Sequence, residues 1–288
     1  SLVDEDNLKK FIAPDHQDIT NKKHCLEKNF SVLLNKLKSS KRPLIYAGSG
    51  IRASKTEKKL LSFAERLTIP IVTSWNSNDL IWDEHPLSAG RAGTVGTRTG
   101  NYAVQTCDVL IVLGSRLNIR QVSYNWECFA DQAWICHIDV DRNELDKPTL
   151  KQDLKINADL RDFFKLIDFD LLDNHFLINQ EYRSKWSKWI KNLKRKYDDY
   201  SLLKDKIQLN KKVNPYHFIY SFTKKLEKGQ TVVFADGTAC VAGYQSAVIK
   251  PGQRMYHNSG CASMGYELPA SIGACLLYTS DAADDGYR

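Results

Sequence analysis

At 288 residues with a net charge of +7, 42% hydrophobic and 26% charged, the chain has the length for about two domains and the composition of a folded globular protein. That excludes a disulfide miniprotein, a fibrous repeat and global disorder. The longest apolar runs, such as Val109–Leu113, are far too short to cross a bilayer, and Ser-Leu-Val-Asp-Glu-Asp at the start has no signal-peptide pattern. A cytoplasmic protein without a membrane partner is the expectation.

Residues 1–40 read as a leader with one helix, its stripe formed by Leu26, Phe30, Leu33, Leu34 and Leu37. From 41 to 168 short apolar runs alternate with helical stretches. Leu44–Ala47, Ile69–Val72, Val109–Leu113 and Trp134–Ile138 read as strands. Ser54 with Glu57 reads as a capping box, opening a helix that turns Leu60, Leu61, Ala64 and Leu67 inward. Asp159 caps another, with Leu160, Phe163, Phe164 and Ile167 on its buried face. Such alternation implies right-handed crossovers and an α/β fold: a doubly wound parallel sheet between two helical layers.

Residues 169–213 form a basic helical linker. Between Glu181 and Lys212 stand eleven bases against four acids, which accounts for the whole charge imbalance. Trp186, Trp189, Ile190, Leu193 and Tyr197 recur at helical spacing, so the bases form the solvated face of an amphipathic helix. Aromatics among lysines also suit stacking on single-stranded nucleic acid, a weaker alternative. Residues 214–274 start a second, truncated α/β domain. Asn214 caps a helix with Pro215 at its first position and Phe218, Ile219, Phe222 and Leu226 on one face; Gly229 stops it. Thr231–Ala235 is a strand, followed by Asp236-Gly237-Thr238 and a helical stretch over Val241–Ala247.

Seven cysteines without a Cys-x-x-Cys pair suggest reduced core residues, and seven scattered histidines show no metal spacing. No residue is assigned a catalytic or metal-ligating role. Ala47-Gly48-Ser49-Gly50, between a strand and a helix, suits a phosphate or simply a tight turn. The glycine-rich run Gly90–Asn101, including Gly93, suits close approach to an anionic ligand or forms a surface loop. Gly114 to Arg120 follows an apolar strand at the edge where open α/β sheets bind ligands, making Arg116 and Arg120 candidate phosphate contacts or solvated charges. Asp139 and Asp141 end the next strand, where a carboxylate accepts ribose hydroxyls or caps a helix.

Several segments together resemble one known family. Arg42-Pro-Leu-Ile-Tyr-Ala-Gly-Ser-Gly50, Ile69-Pro-Ile-Val-Thr73, Gly90 through Ala103, Cys107-Asp-Val-Leu-Ile-Val-Leu-Gly-Ser-Arg116 and His137-Ile-Asp-Val-Asp-Arg142 resemble the central domain of thiamine-diphosphate-dependent enzymes of the acetolactate synthase type. Ser259-Gly-Cys-Ala-Ser-Met-Gly-Tyr-Glu-Leu-Pro-Ala270 resembles the opening of that family's diphosphate-binding domain. The resemblance implies a fragment of a 2-oxoacid decarboxylase or carboligase that uses thiamine diphosphate and Mg2+, its parent a homodimer or homotetramer with the cofactor between subunits. Met264 matches the apolar residue beneath the bent cofactor, or packs in core at a helix start; Gly237, Thr238 and Ala262 match backbone positions that approach it.

In the synthases the central domain also holds flavin (FAD). Gly48, Gly50, Gly93, Gly114, Arg116 and Arg120 match that pattern, while Asn118 and Ile119 replace the family's acidic pair, which weighs against flavin. The Gly-Asp-Gly stretch that holds magnesium is expected shortly after Ala274. There, residues 275–288 instead resemble one reading frame of a sequencing adapter, so a non-native tail and an inactive fragment are expected. The alternative function is a non-catalytic module binding a nucleotide such as FAD, NAD or ADP.

Overall fold

The computed structural model describes residues 19–167, 179–198 and 212–284 of the chain. Lys204, Lys206, Lys211, His16, His175 and residues 285–288 lie outside the described residues.

The apolar runs become strands because each is buried along its length, save the half-buried Trp134 that opens the last: β1 (Pro43–Ala47), β2 (Ile71–Thr73), β4 (Val109–Leu113) and β5 (Trp134–Asp139). Two further strands, β3 (Ser88–Arg91) and β6 (Leu154–Asn157), complete a six-stranded sheet in the order β3-β2-β1-β4-β5-β6, all parallel. The chain winds outward from β1 to β3, then crosses to β4 and winds the other way. The two central turns, after β1 and after β4, therefore splay apart at a topological switch point, where doubly wound sheets open a crevice.

Side chains alternate across the sheet. Ile45, Ala47, Ile111 and Leu113 face a core filled by helix α1 (Ile19–Ser39), α3 (Glu57–Leu67) and α7 (Leu160–Lys165). Leu44, Tyr46, Leu110 and Val112 face a second core with α4 (Arg98–Thr106) and α8 (Gln180–Tyr197). Short helices α2 (Gly50–Ala53), α5 (Ile119–Val122) and α6 (Arg142–Asp146) follow β1, β4 and β5. This is the doubly wound three-layer architecture expected.

Several local expectations are corrected. The stripe Leu26, Phe30, Leu33 and Leu37 is buried against the sheet, with Phe30 edge-on to Phe163 at 5.5 Å, so this helix supplies core to the central domain rather than leading up to it. Ser54 opens no helix: it ends α2, and its hydroxyl donates to the Ile51 carbonyl at 3.0 Å, while Glu57 pairs with Arg52. Ile69 and Pro70 precede β2 rather than form it. Residues 90–101 are not one loop, since β3 takes Gly90 and Arg91 and α4 takes Arg98–Asn101. Gly96 and Gly100 let that helix start against β3, for a Cβ on either would stand 2.5 and 2.3 Å from the Arg91 carbonyl oxygen.

Helix α8 has the expected amphipathic form, with Lys188, Lys191 and Arg195 outward. Its inner face does more than cover the sheet. Trp186 Nε1 donates to the Pro43 carbonyl at 3.0 Å, and the buried Arg183 donates to the Leu37 and Leu67 carbonyls at 2.7 and 2.8 Å.

The second unit comprises α9 (Pro215–Lys225), β7 (Thr231–Val233), α10 (Thr238–Ser246), β8 (Arg254–Tyr256) and α11 (Glu267–Asp284), with β7 and β8 parallel. Asn214 caps α9 as expected; the helix ends at Lys225, and Gly229 instead makes the turn into β7 at φ +78°. Helix α11 runs through Ala274 without a break. Among the described residues no helix is long and apolar enough to cross a membrane.

The unit is docked on the central domain by polar bonds. Tyr244 stacks on Trp75 at 5.2 Å and donates its hydroxyl to the Thr73 and Ala92 carbonyls. The Asp79 carboxylate, 2% exposed, accepts from Arg52 at 2.8 Å, from Arg254 Nε at 2.9 Å and from the Met255 amide at 3.0 Å. Removing it takes the carboxylate from Arg254 and the Met255 amide and leaves Arg52 with Glu57 alone, and breaking a pair with a buried partner is costly. Asp79→Ala is expected to lose about 3 kcal/mol and, in urea denaturation, to split the unfolding of residues 212–284 from that of the central sheet.

Candidate functional site

The crevice at the switch point is a cleft of about 360 Å³ lined by Ser49, Trp75, Ser115, Arg116, Arg120 and Gly260, among others. It combines four backbone turns: β1 to α2, β4 to α5, the short helical turn Trp75–Ser77 after β2, and the segment after β8.

The glycines below it serve the protein's own backbone. A Cβ on Gly48 would stand 2.1 Å from the Gly114 carbonyl oxygen, and one on Gly50 would stand 2.7 Å from Gly114 Cα. Gly114 itself has φ +57°. The two turns can lie side by side only because three residues lack side chains. Gly93, at φ +119°, would carry a Cβ 2.7 Å from the Arg120 carbonyl, to which the next amide, Thr94, donates at 2.9 Å. The glycine-rich run is thus tied to α5 and does not stand free.

The two arginines differ. Arg116 is 75% exposed and pairs with Glu144 at 2.5 Å. Arg120 lies over the Trp75 ring at 5.4 Å, and its guanidinium makes no hydrogen bond or ion pair among the described residues. It is the cation available to a ligand in the cleft.

Asp139 stands apart from the cleft. It is buried at the end of β5 and accepts from the Asp141 amide at 2.9 Å, while Asp141 caps α6 by accepting from the Asn143 amide. Burial raises the Asp139 carboxyl above its ordinary range.

Gly237, Thr238, Ala262 and Met264 lie on the second unit's outer surface. Gly237 starts α10 at φ +64°, with nothing within 4 Å of where a Cβ would stand. Ala262 has φ +55°. Met264 is 93% exposed, so the alternative of a core methionine is overturned: no neighbouring layer covers it among the described residues. These positions fit a ligand approached through backbone, since Gly237 offers open space and an uncapped start of a nine-residue helix. Among the described residues no group of three or more His, Cys, Asp or Glu stands ready to hold a metal ion.

Sequence reading missed Trp75 and Asn76, which border the cleft beside Ser259, the first residue of the stretch that resembles the diphosphate-binding domain. Their signal was positional: each follows an apolar strand at the carboxyl edge, as Arg116 does. It also passed over two histidines. Burial, the leading cause in both, pushes His137 and His257 down to about 4. The unfolded chain takes up these protons near pH 6.5 and the folded chain does not, so stability falls as pH drops from about 6.5 to about 4, by up to about 1.4 kcal/mol per pH unit per histidine. Urea midpoints measured over that window are expected to show the fall, and His137→Gln to remove about half of the histidine-dependent slope.

Residues 31–167 match the family described as thiamine pyrophosphate enzyme, central domain. The chain is 30% identical over 247 residues to the "Probable acetolactate synthase large subunit" of Methanocaldococcus jannaschii, covering 82% of this chain and 39% of that protein. It is 28% identical over 245 residues to the acetolactate synthase isozyme 1 large subunit of Escherichia coli, covering 83% and 40%, and 28% over 246 residues to the acetolactate synthase large subunit of Cyanidium caldarium, covering 85% and 40%. The chain therefore spans about two fifths of the length of these curated relatives.

Proposed function

The chain belongs to the thiamine pyrophosphate enzyme family through its central domain, residues 31–167, and on that premise we propose that it is part of a 2-oxoacid decarboxylase or carboligase of the acetolactate synthase type. The observation that carries the reading is the meeting of two family segments. Ser259–Gly260, which open the stretch leading to Met264, border the same cleft as the central domain's Ser49, Arg116 and Arg120. Thiamine diphosphate with Mg2+ is the cofactor this reading requires; when bound, it supplies the electron sink for breaking and forming carbon–carbon bonds beside a carbonyl. Gly237, Thr238 and Ala262 would hold it by backbone contacts. A small 2-oxoacid as substrate, a cytoplasmic setting and a parent of two or four copies belong to the same proposal.

Titration calorimetry of the chain with thiamine diphosphate and Mg2+ tests it. Saturable binding that weakens in Gly237→Ala is expected; pyrimidine-cofactor binding that ignores that change would sink the assignment of the cradle.

A second reading, nucleotide binding without catalysis, is favoured by the free Arg120 guanidinium stacked at the cleft. FAD is the family's nucleotide here, and Asn118, whose side chain caps α5 by accepting from the Arg120 amide at 3.1 Å, stands in place of an acidic residue. ADP serves as the simpler probe. Arg120→Ala is expected to weaken ADP binding about tenfold, and Arg116→Ala, whose guanidinium already serves Glu144, about twofold to threefold.

A further inference from the structure

We infer that His257 is a positioning residue through which the central domain holds the turn of residues 258–262 in place. Its purpose rests on the cofactor reading above; its existence rests on contacts alone.

The ring is gripped on every side. Phe234 lies parallel to it at 4.9 Å and Tyr244 edge-on at 6.5 Å. Nδ1 is 3.7 Å from Sγ of Cys240, the third residue of α10, and Nε2 is 3.0 Å from the side-chain amide of Asn78, which follows β2. Cys240 and Asn78 are each 2% exposed. A neutral imidazole offers one lone pair and one N–H. The Asn78 amide nitrogen donates to the lone pair on Nε2, which leaves Nδ1–H to face the Cys240 sulfur. The relay runs from the Asn78 N–H to Nε2 and from Nδ1–H to Sγ of Cys240, and its members come from three separate elements.

What the relay holds is the turn that follows. The Ala262 amide donates to the Asn258 carbonyl at 2.8 Å, closing the turn with Ala262 at φ +55°. Ser259 Oγ donates to Asn76 Oδ1 at 2.9 Å, a second bond to the segment that carries Asn78. Cys240 lies one turn beyond Gly237, and His257 directly precedes the turn that ends at Ala262. One ring thus ties both halves of the proposed backbone cradle to the central sheet. The tie works with a neutral ring: Asp79 and Arg91 face it with opposed charges, and burial keeps the Cys240 thiol and Tyr244 hydroxyl protonated.

The test uses the full chain, as wild type, Asn78→Ala and Asn78→Asp. Deuterium exchange across residues 257–262 and iodoacetamide labelling of Cys240 are read by peptide mass spectrometry, with the exposed Cys128 of the central domain as internal reference. Asn78→Ala is expected to speed both by about tenfold or more. Asn78→Asp accepts from Nε2–H once the ring takes its other tautomer, with the Cys240 thiol donating to Nδ1, so protection is expected to survive near neutral pH. Its carboxylate also favours the charged ring, raising the pH at which protection is lost by about one unit or more, a shift that lost packing alone does not produce. Wild-type rates in Asn78→Ala, or an unmoved pH profile in Asn78→Asp, overturn the inference; the second decides if the alanine variant does not fold. Thiamine diphosphate with Mg2+ is expected to slow wild-type exchange across 257–262. Unchanged exchange beside a positive Asn78→Ala result overturns the cofactor reading and leaves the relay standing.

Discussion

Gly48→Ala is expected to unfold the central domain, or to leave it more than about 4 kcal/mol less stable, a loss in the exceptional range for one methyl group. The added Cβ would meet only backbone: the Gly114 oxygen at 2.1 Å, Ser115 Cα at 2.4 Å and the Gly114 carbonyl carbon at 2.5 Å. None of these is the far end of a flexible side chain, so relief requires parting β1 from β4 at the centre of the sheet. Gly237→Ala is the contrast. Its Cβ meets nothing within 4 Å, and the cost is that of a side chain at φ +64° and ψ −131°, outside the left-handed helical well, about 1–3 kcal/mol. Urea unfolding of the two variants separates the roles: one glycine serves packing, the other leaves room for something else. A Gly48→Ala protein within about 1 kcal/mol of wild type would overturn the packing account.

Arg183→Ala is expected to cost about 3 kcal/mol or more. The guanidinium, 1% exposed, reaches the last turn of α1 through the Leu37 carbonyl and the last residue of α3 through the Leu67 carbonyl. Helix ends leave such carbonyls without intrahelical partners, and here one side chain serves two helices at once. Burial lowers the Arg183 pKa from its ordinary value, opposed by the Asp108 charge. Arg183→Lys brings a single ammonium where two donors are needed at separate points, and is expected to recover less than half of the loss. Thermal unfolding of the three proteins checks the order.

The fold was legible where strands are buried on both faces. The β1, β4 and β5 runs are continuous and apolar, as parallel strands covered on both sides must be. Ser88–Arg91 carries no such run: β3 is a strand because β2 offers it a ladder and α4 packs on its small residues. Leu154–Asn157, at the other sheet edge, has one solvated side and a mixed pattern. The amphipathic pattern of α8 was legible, but Arg183 read as one more surface charge, since nothing local tells a base that two helix ends await it. At the cleft, Arg116 and Arg120 were legible from their place after a strand. Which of them is free depends on Glu144, in helix α6. The glycines at Gly48 and Gly50 were left open between a phosphate site and a tight turn because what fills that room, Gly114 across from Gly48, is visible only once the sheet is formed.

The Leu37 and Arg183 partners lie 146 residues apart. At a synthesis rate of about 5–20 residues per second, the arginine leaves the ribosome about 7–30 s after the helix end it completes. Through that interval the Leu67 carbonyl lacks its donor, the Leu37 carbonyl has the Ser40 amide alone, and the apolar faces of Trp186 and Ile190 have not yet arrived to cover the sheet. Any message or cleavage that ends the chain near residue 168 keeps every strand of the central sheet yet releases a half-finished domain, a substrate for chaperones and proteases.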